Sequence, residues 1–215
     1  MGSGPFEQFV APLSAADLLD PARREKMPLQ HGACKHFDPH VFDWDRMLDV
    51  AVKPMENRQF RVTRDRERVP TALLQTSGRT DRKKLEAMLS RSASVVLPAA
   101  HRYDERLAAI ARDYEAASGA PVRVGAIAST GTAGALKRHA DQVTIFVVQI
   151  EGAKHWRIYR PGETGQAEQP VFDGVLSAGS FLLVPQGMPH ECDTVGARSL
   201  HLGLSFAGPN YKTWG

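Results

Sequence analysis

Apolar residues in the first half of the chain recur at the spacing of a helix face. In "FDWDRMLDVA", Trp44, Met47, Leu48 and Ala51 stand at i, i+3, i+4 and i+7. The same periodicity runs through "DERLAAIARDYEAAS" and stops at Gly119, a residue type that commonly ends helices. "SAADLLD" and "TDRKKLEAMLSR" each begin with a capping residue and carry a short apolar face. The pattern predicts that residues 1–120 are mostly helical.

The pattern changes to short β-rich runs after Pro121. These runs are separated by glycine, proline or charged turns: "PVRVGAIAST", "VTIFVVQI", "HWRIY", "SFLLVP" and "RSLHLGLSF". Helices followed by such strands predict a mainly β fold, a small barrel or double-sheet jelly roll with the helices packed outside. Because either half alone would have little core, we predict one domain over 1–215, with a β-barrel core at 121–207.

Composition narrows the class of protein without assigning a function. The 215 residues are 42% hydrophobic and 24% charged, as in an ordinary globular protein, and no run approaches the ~20 apolar residues of a membrane span. Two cysteines do not make a disulfide framework, so we expect a cytoplasmic protein. The net charge of +3 is concentrated in "RVTRDRER" and "RTDRKK". Interleaved acids and missing aromatics there favour a solvated surface over nucleic-acid binding.

A histidine and an aspartate stand at the entrance of a predicted strand in "RHADQVTIFVVQIEGAKHW". His139 and Asp141 are two residues apart, so their side chains point to the same face of a strand. A further histidine from another strand would complete a set of two histidines and one carboxylate. That set leaves coordination positions open, as non-haem Fe(II) oxygenases require. The pair alone is a weak signal.

His190 is the candidate for the third ligand. In "SAGSFLLVPQGMPHE" a glycine turn, a buried strand, a proline and a second tight turn place this histidine at a defined point. Taken by itself, it fits a metal ligand and a hydrogen-bonded rim histidine equally well. A second His-x-Asp pair, His36 and Asp38 in "KHFDPHVFDWD", is interpreted as polar loop residues, because Pro39 interrupts strand pairing there.

Several ordered motifs resemble those of one family. "IFVVQIEGAKHWRIY", "SAGSFLLVPQGMPH" and "SLHLGLS" agree in order and spacing with motifs of the Jumonji C (JmjC) oxygenases. From about Ser94 to Phe206 the chain is most similar to their cupin-like ribosomal-oxygenase branch. The resemblance implies a double-stranded β-helix, the jelly roll of cupins and JmjC domains.

The resemblance also implies site residues and cofactors. His139, Asp141 and His190 would be the Fe(II) ligands and the catalytic centre. Lys154 would pair with the far carboxylate of 2-oxoglutarate, and Ser205 would help to hold it. Lys154 could otherwise be a solvent-facing lysine in a hairpin. Trp156, on the same strand face as Lys154, would line the pocket or simply pack in the core.

The implied activity is that of an Fe(II)/2-oxoglutarate-dependent dioxygenase. With O₂, such an enzyme would hydroxylate an amino-acid side chain in a peptide or protein and convert 2-oxoglutarate to succinate. The same chemistry on a free amino acid or secondary metabolite is one alternative. A non-catalytic cupin-like metal-binding protein is another, and a cupin isomerase or dioxygenase without cosubstrate is a third.

Some positions depart from the family pattern. Ala140 replaces the usual tyrosine, Thr144 replaces an aspartate, and Gly125, Ile127 and Ser180 replace other polar residues. The resemblance therefore implies that the residues for the metal and the cosubstrate are retained, whereas residues on the side of the prime substrate differ. Because the sequence ends soon after the predicted barrel, we expect no C-terminal dimerisation or winged-helix module. That expectation casts doubt on ribosomal-protein substrates and leaves a homodimer open.

Overall fold

The secondary structure consists of short helices and a large antiparallel sheet. A computed structural model describes residues 4–54, 60–131, 136–162 and 169–207. The helices are α1 (Pro5–Val10), α2 (Ala15–Leu19), α3 (Pro21–Arg24), α4 (Trp44–Ala51), α5 (Arg82–Leu89) and α6 (Glu105–Ser118). The strands are β1 (Gln30–Ala33), β2 (Arg61–Arg64), β3 (Glu67–Arg68), β4 (Gln75–Thr76), β5 (Arg79–Thr80), β6 (Ala93–Leu97), β7 (Val122–Thr130), β8 (Thr144–Ile158), β9 (Phe172–Ser177), β10 (Ser180–Val184) and β11 (His190–Phe206). Short 3₁₀ turns cover Thr71–Leu74 and Ala100–Arg102.

The predicted helices form, and their ends follow local capping rules. Asp43, Asp81 and Asp104 each accept hydrogen bonds from backbone N–H groups in the first turn of α4, α5 and α6. Ser14 caps α2 in the same way. Helix α6 ends at Gly119, whose φ of 67° lies in the left-handed region that glycine adopts most easily. Among the described residues, none of the helices is long and apolar enough to span a bilayer.

Most of the described strands form one antiparallel sheet with two different faces, whereas β4 and β5 pair only with each other. Its order is β1-β10-β8-β11-β7-β6-β2-β3, and β9 pairs with β8. Side chains such as Val124 and Phe146 pack against helix residues such as Leu107 and Tyr114. Alternate residues on the other face, including those at 145 and 147, form the smaller interior cluster. The sheet thus separates a helix-covered core from a barrel interior, and the predicted jelly roll is confirmed.

Residues 1–120 contain the described α-helices, as predicted, but they also contribute strands that the sequence did not predict. Strands β1, β2, β3 and β6 come from residues 1–120 and join the same sheet as β7 to β11. The sequence pattern did not predict these strands. "QHGA" has no apolar pattern, and Ala93–Leu97 shows no alternation because both of its faces are buried. Strand β9 was also missed. The runs "VTIFVVQI" and "HWRIY" belong to one strand, β8, rather than to two.

Gly152 lies within β8 at a position that only glycine occupies without strain, and we expect its replacement to destabilise the fold. Its φ is 65°, and an added Cβ would lie 2.0 Å from the carbonyl oxygen of Arg198. Left-handed backbone costs a non-glycine residue about 1–2 kcal/mol, and forced overpacking costs a similar amount. We expect Gly152→Ala to lower the free energy of unfolding by about 3 kcal/mol, measured by urea denaturation.

Gly196→Ala is the matched control for this prediction. Gly196 also has a positive φ, 83°, but a Cβ there would meet no atom within 4 Å. Its replacement should therefore cost only the backbone term, about 1 kcal/mol. Equal losses for the two variants would show that the close approach to Arg198 is unimportant.

Candidate metal centre

The three predicted ligand residues lie together at one end of the barrel interior. Their ligand atoms all lie within 4.8 Å of one another. Nε2 of His139 is 3.9 Å from Oδ1 of Asp141, and Nε2 of His190 is 3.6 Å from Oδ2 of the same carboxylate. Across the described parts of the chain, this is the one group of three or more such side chains close enough to share a metal ion.

Backbone hydrogen bonds hold the two histidines side by side. The N–H of His139 donates to the carbonyl of His190 at 3.1 Å, and the N–H of His190 donates to the carbonyl of His139 at 2.7 Å. The N–H of Gly187 donates to the carbonyl of Asp141 at 2.9 Å. The turn before β11 is therefore tied directly to the segment that precedes β8, and the relative positions of the side chains follow from the backbone.

Both histidines present the same ring nitrogen to the centre. Nδ1 of His139 lies 2.9 Å from the carbonyl oxygen of Lys137, and Nδ1 of His190 lies 3.0 Å from that of Met188. Because a carbonyl only accepts, each Nδ1 must carry the proton, which leaves the Nε2 lone pairs available to a metal. Burial lowers the pKa of His190 and so favours its neutral form. The donor set fits a divalent metal such as Fe(II).

Thr144 does not line the cavity, although the resemblance placed it on the side of the prime substrate. It is buried, and its Oγ1 accepts a hydrogen bond of 3.3 Å from the N–H of Gln186. Its neighbours Val143 and Ile145 line the cavity, whereas Thr144 lies on the opposite face of β8. This threonine therefore holds the turn that leads to His190, while Ala140 does line the cavity.

A cavity of about 450 Å³ opens beside the three ligand residues. Trp156 forms part of its wall and also packs in the smaller interior cluster, so both roles considered for it are present. Its ring centroid lies 6.0 Å from that of His190 and 5.5 Å from that of His201. Strand residues with inward side chains form the remaining wall, among them Val96, Ile127, Ile145, Val147 and Ser205. The metal ligands thus face a partly open cavity large enough for small molecules or a side chain.

Lys154 is fully buried beside this cavity without an anionic partner. It lies two residues from Trp156 on the same face of β8. Its Nζ donates to Ser129 Oγ at 3.2 Å, and Ser129 Oγ also accepts from Ser94 Oγ at 2.8 Å. Burial lowers the pKa of this lysine. A buried ammonium without a carboxylate partner is costly, so the position is suited to binding an anion.

Unpartnered polar atoms surround this lysine. Thr194 stands opposite Lys154 in the strand register, and its Oγ1 has no hydrogen-bond partner among the described residues. The same holds for Nε1 of Trp156 and Nδ1 of His201. Burial and the charge of Lys154 lower the pKa of His201 far below its usual range. Buried polar groups normally have partners, so this set fits a bound polar anion such as 2-oxoglutarate.

Ser205 lies apart from Lys154, whose Nζ donates to Ser129 instead. Ser205 lines the cavity, but it stands opposite Arg123, six positions along β7 from Ser129, or about 20 Å. Its role as a carboxylate-binding residue stays a prediction. Ser129 was missed, although it alternates with Ile127 on the inward face of β7, and that alternation was the available signal.

The second His-x-Asp pair forms no such site. His36 and Asp38 are exposed, and Oδ1 of Asp38 accepts a hydrogen bond of 2.8 Å from the N–H of His40. This local turn uses the carboxylate that a metal would need. The interpretation of these residues as polar loop residues agrees with the structure.

Fold and site together define a class of protein. The family model described as the JmjC domain matches residues 99–214, more than half of the chain, and the chain belongs to this family. Ribosomal oxygenase 1 of Danio rerio is 37% identical in a 92-residue alignment that covers 36% of this chain and 16% of that protein. The bifunctional lysine-specific demethylase and histidyl-hydroxylase NO66 of Drosophila mojavensis is 40% identical in an 82-residue alignment that covers 31% of this chain and 9% of that protein.

A solved structure shows the same fold. The Escherichia coli ribosomal oxygenase YcfD, in complex with cobalt and 2-oxoglutarate, superposes with a TM-score of 0.64 at 18% identity. The aligned region covers 93% of this chain and 53% of that one. The chain thus spans about half the length of YcfD and a smaller share of the curated relatives.

Proposed function

We propose that this chain is an Fe(II)- and 2-oxoglutarate-dependent oxygenase that hydroxylates its substrate. The observation that carries this proposal is the position of Lys154. A buried lysine without an anionic partner lies beside a cavity whose wall holds two histidines and a carboxylate within 4.8 Å of one another. The two features together match the needs of a metal-bound 2-oxo acid, whereas either alone has a structural explanation.

Each residue has a distinct part in this proposal. His139 and His190 would bind the metal through Nε2, and Asp141 would bind it through its carboxylate. Lys154 would hold the far carboxylate of 2-oxoglutarate, with Ser129 and Thr194 as further hydrogen-bonding partners. Their fixed positions orient the cosubstrate before reaction, and the Trp156 side chain excludes water from the space between the metal and the lysine.

Bound Fe(II) supplies the chemistry by which one atom of O₂ enters a substrate C–H bond and the other enters succinate, while CO₂ leaves. The substrate in this proposal is an amino-acid side chain in a peptide or protein. The names of the relatives, ribosomal oxygenase and histidyl-hydroxylase, support this class. A free amino acid or a secondary metabolite is the alternative for the same chemistry.

Succinate formation tests the proposal directly. The protein is loaded with Fe(II) without oxygen, mixed with 2-oxoglutarate, exposed to air and analysed for succinate by mass spectrometry. We expect catalytic succinate formation that requires both Fe(II) and 2-oxoglutarate. Metal binding without succinate would favour a non-catalytic metal-binding protein. If an added organic substrate were converted without 2-oxoglutarate, a cupin isomerase or dioxygenase that needs no cosubstrate would be favoured.

A further inference from the structure

Two arginines line the cavity away from the metal ligands. Arg61 lies on β2 and Arg123 on β7, and both belong to the wall of the cavity that holds His139, Asp141 and His190. Neither arginine has a part in metal or cosubstrate binding as described above. Their charge therefore bears on the remaining occupant of the cavity, the prime substrate.

The strand register places Arg61 in one row with His201. Arg61 stands opposite Val96, Val96 stands opposite Ile127, and Ile127 stands opposite His201. Directly opposed residues of antiparallel strands share a face, so these four side chains form one row across the barrel interior. Three strand spacings separate the ends of this row, about 14 Å along the sheet. Because the Trp156 ring lies against both His201 and His190, the far end of this row is near the metal ligands, and a substrate side chain can lie between them and Arg61.

The Arg61 end of the cavity has uncompensated positive charge. Among the described residues of the cavity wall, Asp141 and Glu191 are the carboxylates. Asp141 lies between the two histidines, and Glu191 accepts a hydrogen bond of 3.1 Å from Arg157. Nε of Arg61 is buried and has no hydrogen-bond partner among the described residues. Burial and the charge of Arg68 lower the pKa of Arg61, which indicates a site that lacks an anion.

Part of the cavity wall near the arginine consists of small or apolar residues. A Cβ added at Gly203 would meet no atom within 4 Å, so this position leaves open space. Val96, Ile127 and Pro98 provide apolar surface nearby. The cavity thus offers an apolar passage that ends at a guanidinium group, which suits an aliphatic chain with an anionic end.

We propose that the prime substrate carries a carboxylate that binds Arg61, with Arg123 adding positive charge. The oxidised carbon then lies between this carboxylate and the metal ligands. Guanidinium groups bind carboxylates through two parallel hydrogen bonds, which also fixes the direction of the bound chain. The carboxylate belongs to an aspartate or glutamate side chain in a peptide or to a small organic acid. This inference rests on the proposed oxygenase function.

The test compares acidic substrates with their uncharged amide counterparts. Peptide libraries with Asp or Glu at the central position are matched with libraries that carry Asn or Gln, and with basic ones. A mixture of small carboxylic acids is matched with the corresponding amides. The readouts are succinate formation above the rate without prime substrate and a mass increase of one oxygen atom. Peptide and small-molecule arms distinguish the two sources of the carboxylate.

We expect acidic members to stimulate succinate formation at least about tenfold more than their amide counterparts, as one charge-assisted interaction predicts. Equal stimulation by amide or basic members, or none by acidic members, would overturn this inference. Succinate formed without prime substrate reports separately on the proposed function, so the two failures are distinguishable.

The variant Arg61→Gln then tests whether Arg61 causes the preference for acidic substrates. We expect its KM for the preferred acidic substrate to rise about 10- to 100-fold and Arg61→Lys to retain part of the preference. The exposed Arg79 provides a matched control, because Arg79→Gln removes a charge outside the cavity and should change nothing. Urea unfolding of Arg61→Gln checks that it folds. An unchanged preference for acids in Arg61→Gln would contradict the assignment of Arg61.

Discussion

Asp141→Ala is expected to abolish metal binding and to lower succinate formation by about a thousandfold or more. Its carboxylate lies near Nε2 of both His139 and His190, so its loss leaves two neutral ligands without a charge to balance the metal. A bound metal supplies several kcal/mol of catalysis, and each 1.36 kcal/mol corresponds to about a factor of ten. Calorimetric titration with Mn(II) and the succinate assay measure the two effects.

Asp38→Ala is the matched control for this variant. Asp38 has the same His-x-Asp spacing, but its carboxylate only accepts a local hydrogen bond from His40. We expect this variant to retain metal affinity and activity within about twofold, because exposed substitutions of this kind have small effects. If Asp38→Ala and Asp141→Ala lost activity equally, the metal centre would have been assigned to the wrong pair.

Lys154→Met is expected to stabilise the apoprotein while it removes cosubstrate binding. The ammonium is fully buried, and its hydrogen-bond partner, Ser129, is neutral, so a side chain of similar size without charge removes a desolvation cost. We expect the free energy of unfolding of the apoprotein to rise by about 1–2 kcal/mol. The KM for 2-oxoglutarate should rise about 100-fold, because a charge-assisted hydrogen bond to its far carboxylate is lost.

Thermal unfolding with and without 2-oxoglutarate separates these two effects. The wild-type protein with Mn(II) should be stabilised by 2-oxoglutarate, and Lys154→Met should not respond to it. The exposed Lys26 offers a control, since Lys26→Met should preserve both the apoprotein stability and the response. Full activity in Lys154→Met would instead favour an enzyme that needs no 2-oxo acid.

The pH dependence of the apoprotein's stability follows from the same lysine. Its pKa in the folded state lies below the ordinary value of 10.5, so between the two values the unfolded chain binds the additional proton. The contribution of Lys154 to the free energy of unfolding therefore rises with pH and is complete above about 10.5. This slope should be absent in Lys154→Met, as urea denaturation at several pH values would show.

Local physical rules account for what the sequence predicted. The caps at Ser14 and Asp81 and the left-handed stop at Gly119 depend only on neighbouring residues, and all three are confirmed. His139 and Asp141 share a face because side chains alternate along extended backbone. The resemblance to JmjC oxygenases rested on motifs within one continuous span and agrees with the family match.

Strand pairing decided the features that the sequence did not determine. The alternation of side chains shows which residues share a face of one strand, but not which distant strand becomes its neighbour. That choice decided which four strands from residues 1–120 join the large sheet. It also placed Ser129 beside Lys154 and separated Ser205 from it.

The chain by itself therefore determined the class of site and the residue types that could form it. Only the tertiary structure brought His190 to His139 through two backbone hydrogen bonds and buried Lys154 without an anionic partner. It also placed Arg61 in the same cavity, in a row that crosses strands from both halves of the chain. The physical reason is that burial and register depend on cooperative pairing between segments far apart in sequence, which no local pattern encodes.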